Sequence, residues 1–240
     1  MDILGDLISK VNDDAEVHDI RVGMFHTGVL TRNCGLAASL PRDVLKVKGQ
    51  HVQDPGFLME RQVKDLVRMV YSGSILEAAV GMATLNSLLD IEEERCLELN
   101  AGDILAEKGN GRRIAIVGHF PFIPKLQEIA KDLWVIEKNP KENDFPEEAA
   151  EKFIPMADVI GITGTSITNH SIENLLRLCG SQAFVVVLGD STPLSKVLFD
   201  HGIDAISGVK VVDSELALKC VSQGANFRQI KGIKKLTMMR

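Results

Sequence analysis

Three glycine turns and one acidic strand end gather the residues of this sequence that could do chemistry. The first turn is Gly118-His119-Phe120-Pro121. Histidine titrates near neutrality and donates or accepts at either ring nitrogen. His119 at a strand-end turn therefore either contacts a ligand or closes a local hydrogen bond, and Phe120 beside it offers an apolar face. The turn is not G-x-G-x-x-G, so the backbone nest for a dinucleotide pyrophosphate is absent in its usual form. The acidic position is Glu137, 19 positions beyond Gly118. Rossmann domains hold a ribose hydroxyl with an acidic residue at about that separation; a solvated carboxylate is the alternative. The second turn runs Ile162-Thr163-Gly164-Thr165-Ser166-Ile167-Thr168-Asn169. Free N–H groups and the dipole at a helix start favour an anion, and Thr165, Ser166 and Thr168 add hydroxyl donors. Plain N-capping would need only one of them. No Gly-Lys-Ser/Thr follows, so this is not a P-loop. The third turn is Gly189-Asp190-Ser191-Thr192-Pro193. Asp190 there could bind a cation, accept a ligand N–H, move a proton, or simply shape the turn.

One helix carries further candidates. From Ser74 to about Asp90, Ile75, Ala78, Ala79, Met82, Leu85 and Leu89 mark one face, while Val80, Ala83 and Leu88 make the other apolar too. A helix apolar nearly all round is buried on both sides. Its polar exceptions, Glu77, Thr84 and Asn86, must find partners, because a buried unpaired polar group costs about 1–3 kcal/mol. Glu77 facing the glycine turns across a cleft would be held in its neutral form by burial and suited to carrying a proton. The competing reading pairs it with Arg21, Arg32 or Arg113. Gly81 in mid-helix costs about 1 kcal/mol relative to alanine, which implies that another backbone approaches it.

The histidines are His18, His26, His51, His119, His170 and His201, with no H-x-x-x-H pair and no local zinc signature. A metal site assembled from distant segments, such as His119 with Asp190 and Glu77, stays open. There is no G-x-S-x-G elbow. The cysteines, Cys34, Cys96, Cys179 and Cys220, are widely spaced and read as thiols. Cys179 and Cys220 fall on apolar helix faces as small hydrophobes. Cys34, flanked by glycine, keeps a site role open.

The elements that must position these residues change in grammar near residue 100. Residues 1–100 read as a helix over 2–12, strands at 16–22 and 24–31, an extended stretch around Gly35, a helix with the stripe Met59, Val63, Leu66, Val67 and Val70, and the helix carrying Glu77. Residues 91–100 read as a connection, with Asn100 capping a helix near 101–108. Residues 101–240 alternate strand, turn and helix. The strands are Arg113–Val117, Leu133–Ile136, Asp158–Ile162, Phe184–Leu188 and Ala205–Ser207, four of them closed by Gly118, Gly164, Gly189 and Gly208. Thr192-Pro193 reads as a helix start that Gly202 ends, and Asp213 starts a helix that Gly224 ends. Short β-branched runs between amphipathic helices imply a parallel sheet covered on both faces. The fold expected is α/β: a Rossmann-like, doubly wound, mostly parallel sheet preceded by a smaller α+β domain. Ligands of such sheets bind beyond the carboxyl ends of the strands.

A net charge of −6 argues against a protein that coats nucleic acid. The basic end, Lys231 to Arg240, reads as a last strand. No apolar run is long enough to span a bilayer, and the first residues lack a signal-peptide pattern, so a cytoplasmic location is expected. The oligomeric state stays open, a homo-oligomer included.

The segments Glu77–Asn86, Val117–Pro121, Ile162–Asn169 and Leu188–Pro193, in that order, resemble the family called "putative heavy-metal chelation", and the resemblance spans essentially the whole chain. It implies a first domain like the N-terminal domain of enolase, a Rossmann-like second domain with partial similarity to methyltransferases, and a site in the cleft between them. It also implies condensation or hydrolysis in making pterin-, flavin- or siderophore-like molecules, tied to heavy-metal chelation. Two readings follow. In one, the protein binds a small molecule or metal chelate, with a divalent heavy metal or a nucleotide- or pterin-like cofactor. Asn86, Gly118, His119, Phe120, Glu137, Gly164, Thr165, Ser166, Thr168, Asn169 and Gly189 then form the site. In the other, an enzyme acts on the same class of molecule, with Glu77 or Asp190 moving protons. A scaffold with a vestigial site is the blander third.

Overall fold

The structure, a computed structural model, describes residues 2–11, 14–40, 43, 49 and 51–240. Among these, three strands form a small antiparallel sheet in the order β1 (Asp19–Val22), β2 (His26–Leu30), β3 (Cys34–Ala38). The larger sheet has eight strands: β4 (Cys96–Leu97), β5 (Arg113–Val117), β6 (Asp132–Glu137), β7 (Phe145–Pro146), β8 (Val159–Thr163), β9 (Phe184–Leu188), β10 (Ala205–Val211) and β11 (Ile233–Met239). Their order is β4-β11-β10-β9-β8-β5-β6-β7. The neighbours from β7 through to β10 are parallel, and β11 is antiparallel to both β10 and β4.

The parallel strands are central because their side chains are buried on both faces. Ile114, Ala115 and Ile116, then Val159 and Ile160, then Val185, Val186 and Val187 are all at most 2% exposed. The chain winds outward from β5 to β6 and β7, then returns to β8, β9 and β10 on the other side. Strand order therefore reverses between β5 and β8, the place where doubly wound sheets open a ligand crevice. Local caps fix the flanking helices. The Asn100 side chain accepts from Gly102 N at 3.0 Å to start Ala101–Gly109. Asp213 accepts from Leu216 N at 3.0 Å to start Ser214–Ser222.

The Ile75–Leu88 helix lies against the small sheet on one side and the Met69–Tyr71 turn on the other. Two glycines permit this. A Cβ on Gly35 of β3 would stand 2.1 Å from the Ala83 carbonyl oxygen, and one on Gly81 would stand 2.2 Å from Val70 N. Backbone meets backbone on both flanks, which is why this helix is apolar all round. Core residues from both ends of the chain merge: Ile3, Leu7, Met82 and Leu85 share one apolar cluster with Ile172, Leu198 and Phe199.

Several boundaries differ from the sequence expectation. The first helix is Ile3–Ile8, and residue 12 lies outside the described residues. Met59 is 50% exposed, because extended Gln62 separates its short 3-10 turn from the helix Val63–Arg68. Residues 91–100 contain β4, recruited by β11 at the sheet edge. Gly208 does not end a strand: β10 continues to Val211 because β11 pairs along its whole length. Thr192-Pro193 starts no helix. Residues 190–194 are all at most 9% exposed between the two sheets, and only a 3-10 turn, Lys196–His201, forms beyond Ser195. Cys179 and Cys220 are half-buried rather than enclosed.

Candidate functional site

The carboxyl ends of β5, β6, β8 and β9 meet at the strand reversal. Gly118 and Gly189 take φ of +106° and +127° there, conformations that favour glycine, so both turns present bare backbone. Two cavities open over them. The first, about 370 Å³, is lined by Gly118, Glu137, Thr165, Ser166 and Asn169, with Phe25, Leu40 and Asp43 contributed from around the small sheet. The second, about 780 Å³, is lined by Gly189, Asp190, Phe122, Phe227, Arg228 and Lys235. His119, Phe120 and Thr163 line both and join them.

His119 is the shared titratable group. Its Nδ1 lies 3.1 Å from Asp144 Oδ2, and the Asp144 side chain is only 5% exposed. That carboxylate also accepts from Lys141 N at 3.0 Å. An acceptor held this way fixes the tautomer with Nδ1–H donating. Nε2 makes no hydrogen bond among the described residues, so it is the nitrogen left for a ligand. The residue that orients His119 was missed in the sequence. Asp144 sits in segment 138–146, and no spacing rule connects it to the turn after β5.

Asp190 has a committed partner as well. It forms an ion pair with His26 Nε2 from β2, and both residues are at most 9% exposed. The other ring nitrogen, Nδ1, lies 3.3 Å from the Ala225 carbonyl oxygen. With an acceptor at each nitrogen, the doubly protonated ring satisfies both. Burial alone pulls the His26 pKa down, but the Asp190 hydrogen bond and charge, with the Ala225 carbonyl, carry it upward overall. Asp190 is thus a wall of the second cavity whose charge is already balanced.

Residues 100–240 match the DUF364 family and residues 5–89 match DUF4213, both described as "Putative heavy-metal chelation". The chain belongs to the DUF364 family. A DUF364 protein of unknown function from Desulfitobacterium hafniense DCB-2 is 25% identical over 100% of this chain and 98% of its own, with a TM-score of 0.87. Another of unknown function, from Pyrococcus horikoshii, is 20% identical over 99% of this chain and 100% of its own, with a TM-score of 0.84. No curated protein matches the chain.

In this DUF364 protein, several residues singled out in the sequence lie away from the cavities. Glu77 is buried but does not face the glycine turns. Its carboxylate accepts from Gln53 N at 3.0 Å and Ser72 Oγ at 2.6 Å, so it ties down the loop before its own helix. It pairs with none of the three arginines considered: Arg113 is bonded to Asp158, Arg21 to Asp19, and Arg32 to the Leu88 carbonyl. Glu77→Ala should therefore cost about 1–3 kcal/mol in urea unfolding and leave ligand affinity unchanged. A tenfold loss of affinity at unchanged stability would return Glu77 to the site. Asn86 donates to the Leu36 carbonyl at 2.9 Å and lines a separate crevice of about 210 Å³. Thr168 is 1% exposed and outside both cavities.

The hydroxyl-rich turn is engaged mostly with itself. Ser166 Oγ donates to the Thr163 carbonyl at 2.6 Å, and Thr165 Oγ1 shares a hydrogen bond with Thr163 Oγ1 at 3.0 Å. Thr165–Thr168 is a single helical turn beyond Gly164, too short to add up much dipole. Burial pushes the Cys34 thiol up to about 12, so it is protonated and inert at neutral pH.

His119, Asp190 and Glu77 do not assemble. Among the described residues, no three His, Cys, Asp or Glu side chains stand close enough to hold a metal ion. Among the described residues, the two cavities therefore offer no three-donor side-chain set for a bare heavy metal. Among the same residues, no helix is long and apolar enough to cross a membrane.

Proposed function

We propose that this protein binds a small organic molecule, free or as its metal chelate, in the second cavity, acting in the cytoplasm. One observation carries this reading. The cavity offers cations and aromatic rings and, among the described residues, no three-donor metal set, which suits a metal that arrives with donors of its own. The Phe120 and Phe122 rings stack with centroids 5.1 Å apart and planes 8° apart, a flat surface for a planar ligand. Lys235 Nζ lies 5.0 Å from the Phe227 ring centre, and with Arg228 it provides charge for the anionic oxygens of a chelator. Four free cysteines suit a reducing compartment.

Native mass spectrometry of protein purified without oxygen tests this directly. The expected result is an adduct with organic mass, lost on denaturation. Titration with a catecholate chelator, with and without ferric ion, should then show binding weakened at least tenfold by Lys235→Ala. An adduct of metal mass alone, or bare-ion binding as tight as that of the chelate, overturns the reading.

The His119–Asp144 pair favours a second reading, an enzyme acting on the same class of molecule. With Asp144 holding Nδ1–H, Nε2 accepts a proton from a bound group and returns it later. In that case Asp144→Asn lowers turnover far more than affinity.

A further inference from the structure

We infer that the first cavity is a nucleoside subsite, with the ribose diol held by Glu137 and no phosphate on its 5′ carbon. This rests on the reading that the paired cavities are a ligand site, but not on what fills the second.

The topology supplies the first part of the case. β5 is the strand from which the sheet winds outward, β6 is its parallel neighbour, and Glu137 is the last residue of β6. In doubly wound sheets an acidic side chain in that place meets the two hydroxyls of a ribose lying across the end of the first strand. Glu137 lines the cavity together with Gly118, whose lack of a side chain leaves the passage between them open. A Cβ on Gly118 would sit 3.1 Å from both Phe120 and Thr163, across the junction of the two cavities.

The bonding state of Glu137 supplies the second part. Among the described residues its only hydrogen bond is a long one, 3.5 Å from Asn139 N to Oε1, and it has no ion pair. A carboxylate at a cavity wall with unused acceptor capacity calls for O–H or N–H donors, and a cis-diol delivers two side by side. The volume of about 370 Å³ lies within the range for small-molecule sites. Ala150, Leu175 and Ile136 line it too and offer apolar contact to a base.

Charge decides against a nucleotide. Asp43, Glu137 and Glu147 line the first cavity, and Lys138, its only lining Lys or Arg among the described residues, lies 3.8 Å from Glu147. Among the described residues, a 5′-phosphate would meet carboxylates with no free cation. A neutral or cationic 5′ substituent avoids this repulsion. From Glu137 past Gly118 it would run toward His119 and Thr163, the junction with the second cavity. The two compartments then hold two molecules end to end, with His119 between them.

Isothermal titration with adenosine, 2′-deoxyadenosine, 5′-amino-5′-deoxyadenosine, AMP and NAD tests this on the full chain. Adenosine and its 5′-amino analogue should bind at least tenfold more tightly than 2′-deoxyadenosine, AMP or NAD. Glu137→Gln, checked for an unchanged melting temperature, should weaken adenosine at least tenfold and erase the preference over the 2′-deoxy compound. Tighter binding of AMP or NAD, unaltered affinity in Glu137→Gln, or no adenosine binding at millimolar concentration overturns the proposal. The catecholate titration of Lys235→Ala reads the second cavity separately. No chelate binding by the wild type, with adenosine binding intact, sinks only the chelate reading; chelate binding that Lys235→Ala weakens, with no adenosine binding, sinks only this one.

Discussion

Gly35→Ala should lower the stability of the protein by about 3 kcal/mol or more, read as a shift of the urea midpoint at unchanged slope. Overpacking usually costs about 1–3 kcal/mol because side chains can turn aside. Here nothing can turn aside. The new Cβ would stand 2.1 Å from the Ala83 carbonyl oxygen, 2.4 Å from Ser87 N and 2.8 Å from the Asn86 carbonyl carbon, all of them backbone. The Ile75–Leu88 helix would have to lift off β3, and it cannot do so freely. Gly81 holds its other flank, where an added Cβ would meet Val70 N at 2.2 Å. Gly180→Ala is the control, since a Cβ there meets nothing within 4 Å. It should change stability by no more than about 0.5 kcal/mol. Equal effects of the two substitutions would mean that the helix does not sit on β3 as described.

His26→Ala should cost about 3–5 kcal/mol, the usual loss when one partner of a buried ion pair is removed and the other charge is left uncompensated. Asp190 would then be a carboxylate at most 9% exposed, with only a weak 3.5 Å hydrogen bond from Ser191 Oγ among the described residues. Asp190→Asn in the same background should recover part of the loss, because it removes the stranded charge. The pair also sets a pH dependence. His26 is raised in the folded protein, so the folded state holds a proton that the unfolded state has already released. Its stabilisation is fully present below the unfolded histidine value of about 6.5 and is lost as pH rises through the higher folded value. Urea unfolding measured between pH 5.5 and 9 should show stability falling across that window in the wild type, and a flatter profile in His26→Ala. A profile unchanged by the substitution would show that His26 does not carry the extra proton.

This pair also ties the ligand site to the fold. His26 comes from the small sheet and Asp190 from the turn after β9, which walls the second cavity. Ser191 extends the same joint by accepting from Ala38 N at 2.9 Å. The cavity wall is therefore held by contacts between segments more than 150 positions apart.

Much of the scaffold was legible in the residues alone. The runs at 113–117 and 184–188 are apolar at every position that ends buried and mostly β-branched, and a run buried at successive positions points to a strand covered on both faces. Asn100 and Asp213 announced their helices because a cap is a bond between near neighbours. Gly81 announced a close approach, since a mid-helix glycine carries a local cost that something must offset. Glu137 at the end of β6 and the glycine after β5 were legible for the same reason: spacing along a βαβ unit is set by the length of one helix and one strand.

What only the tertiary structure decided is which buried or turn residue meets which other. Sequence showed that Glu77 lay in an apolar helix, but burial has no direction, and its partners proved to be Gln53 N and Ser72 rather than the cavity. Thr168 and Asn86 belong to the same class. They are polar residues in the right segments, with side chains turned toward packing rather than toward the cavities. The Asp144–His119 and His26–Asp190 pairs span 25 and 164 positions. No periodicity relates such positions; they come together only when the crossover loops close over the sheet and the small sheet packs against β10 and the turn after β9. Local rules act through bonded geometry over a few residues and so are written in the chain, whereas the site's working pairs exist only after the chain has folded.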